Sequence, residues 1–236
     1  MNMNIRFKGL FEKLVHAVTD DHLFEVSHHA IPVHKLPRAA RGLTIVQISD
    51  LHVDQWNRFV VDRAIERVNA LQPDLLVCTG DTIAEGRHYI PDMTHFLKQF
   101  KARYGKIACL GNHDYSDGDG SRNVRRALRQ AGFDVLVNES IDIPLHGGQS
   151  IHVAGADDLI LGRQCMRKTS RNWLEPARHD NMPVLLLSHN PENFDAVARF
   201  KPTLMLSGHT HGGQIQLPGG IYQRILGSPY IAGSYA

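Results

Sequence analysis

Leu43 to His52, LTIVQISDLH, decides how this chain is read: an apolar run of strand length that ends on polar side chains able to hold a metal. The run Leu43 to Ser49 has the length and aliphatic content of a buried strand. The same event recurs four times. Leu75 to Thr79 (LLVCT) leads into Gly80-Asp81, and Lys106 to Leu110 (KIACL) into Gly111-Asn112-His113-Asp114. Val184 to Leu187 (VLLL) leads into Ser188-His189-Asn190, and Thr203 to Leu206 (TLML) into Ser207-Gly208-His209-Thr210-His211. In open α/β sheets ligands bind outside the carboxyl ends of strands, so five clusters on five strand ends can converge on one cleft.

Between these strands lie helical patterns. Asn57 to Leu71 spaces Val60, Ala64, Ile65, Val68 and Leu71 for one apolar face and stops at Pro73. Asp92 to Tyr104 repeats the period through Phe96, Leu97 and Phe100, with Gly105 expected as its C-terminal cap. A basic helix is expected over Ser121 to Ala131, and another near Pro191 to Phe200. Further strands are expected at Phe133 to Val137, Ser140 to Pro144 and Ile151 to Ala154. Strands alternating with helices from Arg41 onward predict an α/β layered fold.

Composition narrows the class. The 236 residues fit one domain with a short arm, and 42% hydrophobic with 21% charged residues excludes a disordered or fibrous chain. Lys+Arg 26 against Asp+Glu 24 leaves a net charge of +2, too little field for a nucleic-acid coat, so a nucleic-acid partner is not expected. The three cysteines, Cys78, Cys109 and Cys165, form no Cys-x-x-Cys pair, which argues against a disulfide framework and for a reducing, cytoplasmic compartment. No run approaches the roughly 18 apolar residues of a membrane span. The outlier is histidine, at 15 residues, the side chain that is both a proton carrier at neutral pH and the commonest metal ligand.

Five of them, His52, His113, His189, His209 and His211, lie in the strand-end clusters. In extended chain residues i and i+2 face the same way, so Asp50 and His52 are expected to reach one ion, and His209 and His211 one ion or two adjacent ions. Gly80, Gly111 and Gly208 are expected to allow the sharp turns that aim the next side chain into the cleft. The donor set is oxygen and imidazole without sulfur, which suits Mn, Fe, Zn or Co. Two carboxylates, one carboxamide and four imidazoles exceed the needs of one ion, so two are expected, with one carboxylate bridging.

Taken in order, these five clusters resemble the signature of the calcineurin-like metallophosphoesterases over about Leu43 to Gln214. Within that family, Ile48 to His52 and His211 to Gln214 are similar to the bacterial YkuE/YaeI phosphodiesterase branch, which includes UDP-2,3-diacylglucosamine hydrolases of the lipid A pathway. The resemblance implies a four-layer αββα sandwich. It also implies that Asp50, His52 and His211 hold a first metal, that Asn112, His189 and His209 hold a second, and that Asp81 bridges both, with Mn favoured. His113 would be the catalytic imidazole near the leaving-group oxygen, oriented by Asp114. The implied reaction is hydrolysis of a phosphodiester or pyrophosphate by a hydroxide generated between two cations, with His113 as proton donor. The alternatives are a phosphomonoesterase, protein phosphatase or nuclease of the same fold, and a non-catalytic metal-binding scaffold.

Two further features bear on the substrate. Arg122, Arg125, Arg126 and Arg129 sit at i, i+3, i+4 and i+7, either as the solvated face of a helix or as a guide for an anion, and the first three are the candidate substrate-binding residues. Residues 1–40 read as an arm before a 41–236 domain. Phe7, Leu10, Phe11, Leu14, Val15 and Val18 make one apolar stripe, an amphipathic helix that either packs on the domain or contacts an anionic membrane surface through residues 5–18. With the arginines, it predicts a phosphorylated, lipid-linked substrate and a peripheral position on the inner membrane face. Leu23 to Leu36 is expected to be a lead-in strand beside Thr44 to Ser49. The chain stops soon after Ile221 to Tyr230, so the second sheet is expected to lack C-terminal strands found in this branch.

Overall fold

Leu75, Leu76, Val77 and Cys78 are all buried, yet alternate residues belong to different cores. That alternation is what a strand covered on both faces requires, and it organises the computed structural model, which describes residues 26–33, 36–116, 118–174, 182–211, 230–231 and 233–235. Strands β1 (Ile45–Ile48), β2 (Leu75–Cys78), β3 (Gly105–Ala108) and β4 (Phe133–Val135) form one parallel sheet in the order β1-β2-β3-β4. A second sheet has the order β5 (Glu139–Pro144), β6 (Ser150–Gly155), β7 (Val184–Leu187), β8 (Leu204–Leu206). In it β5 and β6 are antiparallel and the other pairs parallel.

Leu75, Val77, Ile107 and Cys109 of the first sheet face Ile143, Ile151, Val153, Leu185 and Leu187 of the second, and these side chains fill the space between the sheets. The outer face of the first sheet, with Leu76, Cys78 and Ala108, is covered by α1 (Arg58–Ala70), α2 (Ile90–Leu97) and α3 (Arg122–Gln130), through Val61, Ile65, Met93, Phe96, Val124 and Leu128. On the outer face of the second sheet, Val184, Ala154 and Leu186 pack with Trp173 and with Val197 of α5 (Phe194–Ala198), beside the single turn α4 (Met166–Thr169). The α/β sandwich expected from the sequence is therefore present, as helix, sheet, sheet and helix layers.

Several boundaries differ from expectation. The helix expected over 92–104 runs from Ile90 to Leu97, started by Pro91 in its first turn, and Gly105 opens β3 at φ 145° instead of capping the helix. Lys106 serves the helix ends instead: its Nζ donates to the carbonyls of Leu97 and Ala131, at 3.1 and 2.6 Å. The region 191–200 splits into a 3₁₀ turn, Pro191–Asn193, and the short α5. The lead-in strand is not formed in its described part: residues 26–33 carry no regular structure, and β1 pairs with β2 alone among the described residues. Ala39 and Ala40, in a 3₁₀ turn, join the inter-sheet core, and the Ala39 amide donates to Gln149 Oε1 at 2.7 Å. The expected helix at 5–18 and most of the chain beyond His211 lie outside the described residues. No helix among them is long and apolar enough to cross a membrane.

Leu187 is fully buried between the sheets and leads directly into Ser188-His189. Leu187→Ala is expected to lower the unfolding free energy by about 2–5 kcal/mol in urea titrations; a loss below about 1 kcal/mol would mean that the inter-sheet core is looser than described.

Candidate metal centre

The loops that leave β1, β2 and β3 meet those that leave β7 and β8 at one end of the sandwich, and backbone bonds stitch them together. The Asp50 amide donates to the Gly80 carbonyl, and the His52 amide to the Asp81 carbonyl, both at 3.0 Å, continuing the β1–β2 pairing beyond the strands. Within the second sheet, the Gly208 amide donates to the His189 carbonyl at 3.0 Å, continuing the β7–β8 pairing. The His209 amide lies 3.0 and 3.1 Å from the two Asp50 carboxylate oxygens.

Side chains converge accordingly. Asp50, His52 and His211 form one group whose donor atoms lie within 4.8 Å of one another, and Asp81, His189 and His209 form another; each could hold an ion. Asp81 Oδ2 faces both, 3.6 Å from His52 Nε2 and 3.3 Å from His189 Nε2. The His52 and His211 Nε2 atoms are 3.2 Å apart, and His209 Nδ1 is 3.3 Å from His189 Nε2. His209 and His211 fall in different, adjacent groups.

The pleat does not produce this convergence. Asp50 (φ 53°), His52 (φ 42°), Asp81 (φ 53°), His209 (φ 71°) and His211 (φ 49°) are all left-handed, not extended. Non-glycine residues adopt that conformation at a cost of about 1–3 kcal/mol each when the surroundings impose it, which is typical of functional sites. The glycines also act differently from expectation. Gly80 does take a positive φ of 102°, but Gly111 and Gly208 serve close approach. A Cβ on Gly111 would lie 2.2 Å from Asp81 Oδ1, and one on Gly208 1.9 Å from Ser49 Oγ and 2.4 Å from Asp50 Oδ2.

Asp114 has a role other than orienting His113. It is fully buried and receives four hydrogen bonds: from the Gly111 and Asp81 amides on Oδ2 at 2.9 and 3.0 Å, and from the Thr82 amide and hydroxyl on Oδ1 at 2.9 and 2.6 Å. Its carboxylate therefore locks the β2 and β3 loops together, while the His113 ring is held by the Ala84 carbonyl at Nδ1. Burial and the neighbouring Asp81 charge push Asp114 up to about 6, opposed by its hydrogen bonds.

Asp81 and His189 favour each other's charged forms. Burial works against a charged His189, yet the Asp81 carboxylate outweighs it and holds the imidazole above its ordinary range. Burial works against a charged Asp81 too, and His189 with the His113 amide pulls it below the usual carboxylate range. His52 is lowered, chiefly by burial.

These residues fit divalent cations by their own chemistry. Carboxylate oxygens and imidazole nitrogens supply the donors, and Asn112 Oδ1 is buried with no hydrogen-bond partner among the described residues, as suits a carboxamide whose oxygen is reserved for an ion. The second nitrogen of His189 is used as metal-holding imidazoles commonly use it, with Nδ1 on the Thr79 carbonyl at 2.7 Å. Sequence reading misses Thr79, Thr82 and Ala84 because their contributions here are backbone groups and a small hydroxyl. It also misses Glu192, whose Oε1 is 3.9 Å from His209 Nε2; its place three residues after His189 is the available signal. The arginines are not drawn into the cluster. Arg122 and Arg126 are exposed, Arg122 pairs with Asp119 at 3.2 Å, and no described bond links Arg122, Arg125 or Arg126 to the clustered side chains.

The chain is similar to known proteins. Residues 43–213 match a family model described as calcineurin-like phosphoesterase. The chain is 34% identical over 218 residues to the uncharacterized metallophosphoesterase YkuE of Bacillus subtilis, covering 89% of this chain and 72% of that protein. It is 28% identical over 225 residues to the UDP-2,3-diacylglucosamine pyrophosphatase LpxG of Chlamydia trachomatis, covering 75% and 66%. It is 30% identical over 224 residues to the phosphodiesterase YaeI of Escherichia coli, covering 89% and 76%.

Asp114→Asn keeps the shape but turns an NH₂ toward groups that donate. It is expected to cost about 2–4 kcal/mol of stability, read as a lowered urea midpoint; an unchanged midpoint would show that the four bonds do not hold the loops.

Proposed function

The chain belongs to the calcineurin-like phosphoesterase family and is a phosphoester hydrolase, and from that premise we propose a two-cation centre that cleaves a phosphodiester or pyrophosphate bond in a lipid-linked substrate. The observation that carries this reading is Asp81, whose single Oδ2 faces both His52 and His189. In it Asp50, His52 and His211 would hold one cation, Asn112, His189 and His209 the other, and Asp81 both; the oxygen and nitrogen donors suit Mn, Fe, Zn or Co, and the family resemblance favours Mn. Two such cations, when bound, supply Lewis acidity toward water and neutralise charge on phosphoryl oxygens.

The rest is done by this chain's residues. The left-handed turns at Asp50, His52, His209 and His211 present donors from both sheets to one place, so that a phosphate group is oriented on arrival. His113 stands edge-on to His52, with ring centroids 4.5 Å apart. With Nδ1 committed to the Ala84 carbonyl, Nε2 is the nitrogen that passes a proton to the departing oxygen. Arg125, half-buried at the start of α3, and exposed Arg122 and Arg126 add positive field for an anion.

Support for a phosphodiester or diphosphate comes from the relatives' names, phosphodiesterase and UDP-2,3-diacylglucosamine pyrophosphatase. The second also supports a substrate with acyl chains. The apolar stripe at residues 5–18 supports peripheral membrane contact, and the free thiols of Cys78, Cys109 and Cys165 support a reducing, cytoplasmic side.

His113→Ala is expected to lower hydrolysis of bis(p-nitrophenyl) phosphate with Mn²⁺ by about 10²–10⁴-fold, with bound metal unchanged. Equal rates for variant and wild type would remove His113 from the mechanism.

A further inference from the structure

The loop that leaves β6, Ala156 to Arg163, ends in three consecutive exposed aliphatic residues: Leu159 at 45%, Ile160 at 56% and Leu161 at 56%. Single exposed aliphatics are ordinary, but three in a row on a loop tip are not. The loop is also built to hold them out. Asp158 is fully buried, and its Oδ2 accepts the amides of Ile160, Leu161 and Gly162. Asp157 accepts the Arg163 amide at 2.8 Å and the Tyr115 hydroxyl. The Leu159 amide donates to Asn190 Oδ1 at 2.9 Å, next to His189. The tip is thereby fixed between the loops that carry His113 and His189.

A second apolar projection rises from the same end of the sandwich. Trp56 is 83% exposed, four residues after His52. Its turn is fixed as firmly: Asp54 Oδ1 accepts the Trp56 and Asn57 amides, and Asn57 Nδ2 donates to the Leu51 and His52 carbonyls. Beside the aliphatic tip the chain carries the exposed cations Arg163, Arg167 and Arg171. Asp157 and Asp158, which anchor the tip, are buried: both Asp157 oxygens and Asp158 Oδ2 accept hydrogen bonds, while Asp158 Oδ1 has no partner among the described residues.

We infer that this rim is a docking face for an anionic phospholipid bilayer, with Leu159, Ile160, Leu161 and Trp56 entering the interface and Arg163, Arg167 and Arg171 meeting the headgroups. Rigid aliphatic tips, an interfacial tryptophan and flanking arginines are the chemistry of that boundary: burial of apolar side chains supplies the attraction, and each cation near an anionic leaflet adds roughly fivefold in partitioning. Docking this way would turn the open end of the sandwich, where the candidate cations sit, toward the lipid. The inference deepens the lipid-linked reading, and its test measures binding without turnover, so either can fail alone.

The test uses full-length protein with vesicles of phosphatidylcholine, with and without phosphatidylglycerol. Trp173 is 5% exposed in the core, so a change in tryptophan emission reports Trp56. The expected result is a blue shift and cosedimentation with the phosphatidylglycerol vesicles. Partitioning should fall at least tenfold in the triple variant Leu159→Ser, Ile160→Ser, Leu161→Ser, and preference for the anionic lipid should be lost in Arg163→Gln, Arg167→Gln, Arg171→Gln. Trp56→Phe should bind without the shift, and all variants should keep hydrolysis of a soluble diester, which shows that they fold. Vesicle binding equal in wild type and both triple variants, or absent in wild type, would overturn the inference. So would concentration-dependent dimerisation abolished by the serine variant without vesicle binding, which would assign the face to a second copy of the chain.

Discussion

A single buried carboxylate holds this site together. Asp114, with no exposure to solvent, is surrounded by four donors from Gly111, Asp81 and Thr82. Burying a carboxylate is costly unless its oxygens are filled by donors, and here the donors belong to the loops of two neighbouring strands. The bond to the Asp81 amide fixes where the Asp81 side chain goes. Asp81 in turn receives the His113 amide at 2.8 Å and faces His52 and His189. The proposed catalytic imidazole, the proposed bridging carboxylate and histidines from both sheets therefore depend on one anchor that need touch neither substrate nor cation.

The backbone at the site is shaped for the centre, not for the sheets. Asp50, His52, Asp81, His209 and His211 are five of the nine non-glycine residues with positive φ among the described residues. A fold optimised for stability alone would place glycine or asparagine at such turns. Carboxylates and imidazoles occupy them instead, and the surrounding ties, from Asp50 to Gly80, from His52 to Asp81 and from His209 to Asp50, hold the strained turns in place. Strain of this kind is expected where side-chain direction matters more than backbone comfort.

Much of this is legible in the amino-acid sequence. Apolar runs of four to seven residues, each closing on a polar cluster, locate the strands and the five loops of the site, because a strand buried on both faces admits little else at its centre. The grouping of donors is not, because spacing alone leaves His209 and His211 open to one ion or two; it is what the family resemblance implies. What is not legible lies in long-range geometry. The i, i+2 argument reaches a correct neighbourhood for Asp50 and His52 through an extended conformation that neither residue adopts. The family resemblance makes Asp114 a partner for the adjacent His113, whereas the Thr82 and Gly111 amides that it accepts leave no trace in the sequence. The Ala84 carbonyl that holds His113 carries no side-chain signature at all. In its described part the lead-in strand does not form, because an apolar lead-in is not sufficient without a neighbour to pair with, and residues 36–40 contribute a packed turn to the inter-sheet core.

The central claim is that Asp81 joins two cation sites within one cleft. Equilibrium dialysis of Mn²⁺ against metal-stripped protein, with bound metal counted by elemental analysis, tests it most directly. Two ions per chain are expected in the wild type, and in Asp81→Ala loss of both or retention of one with markedly weaker affinity. A wild-type stoichiometry of one ion, or two ions bound as tightly in Asp81→Ala, would contradict it.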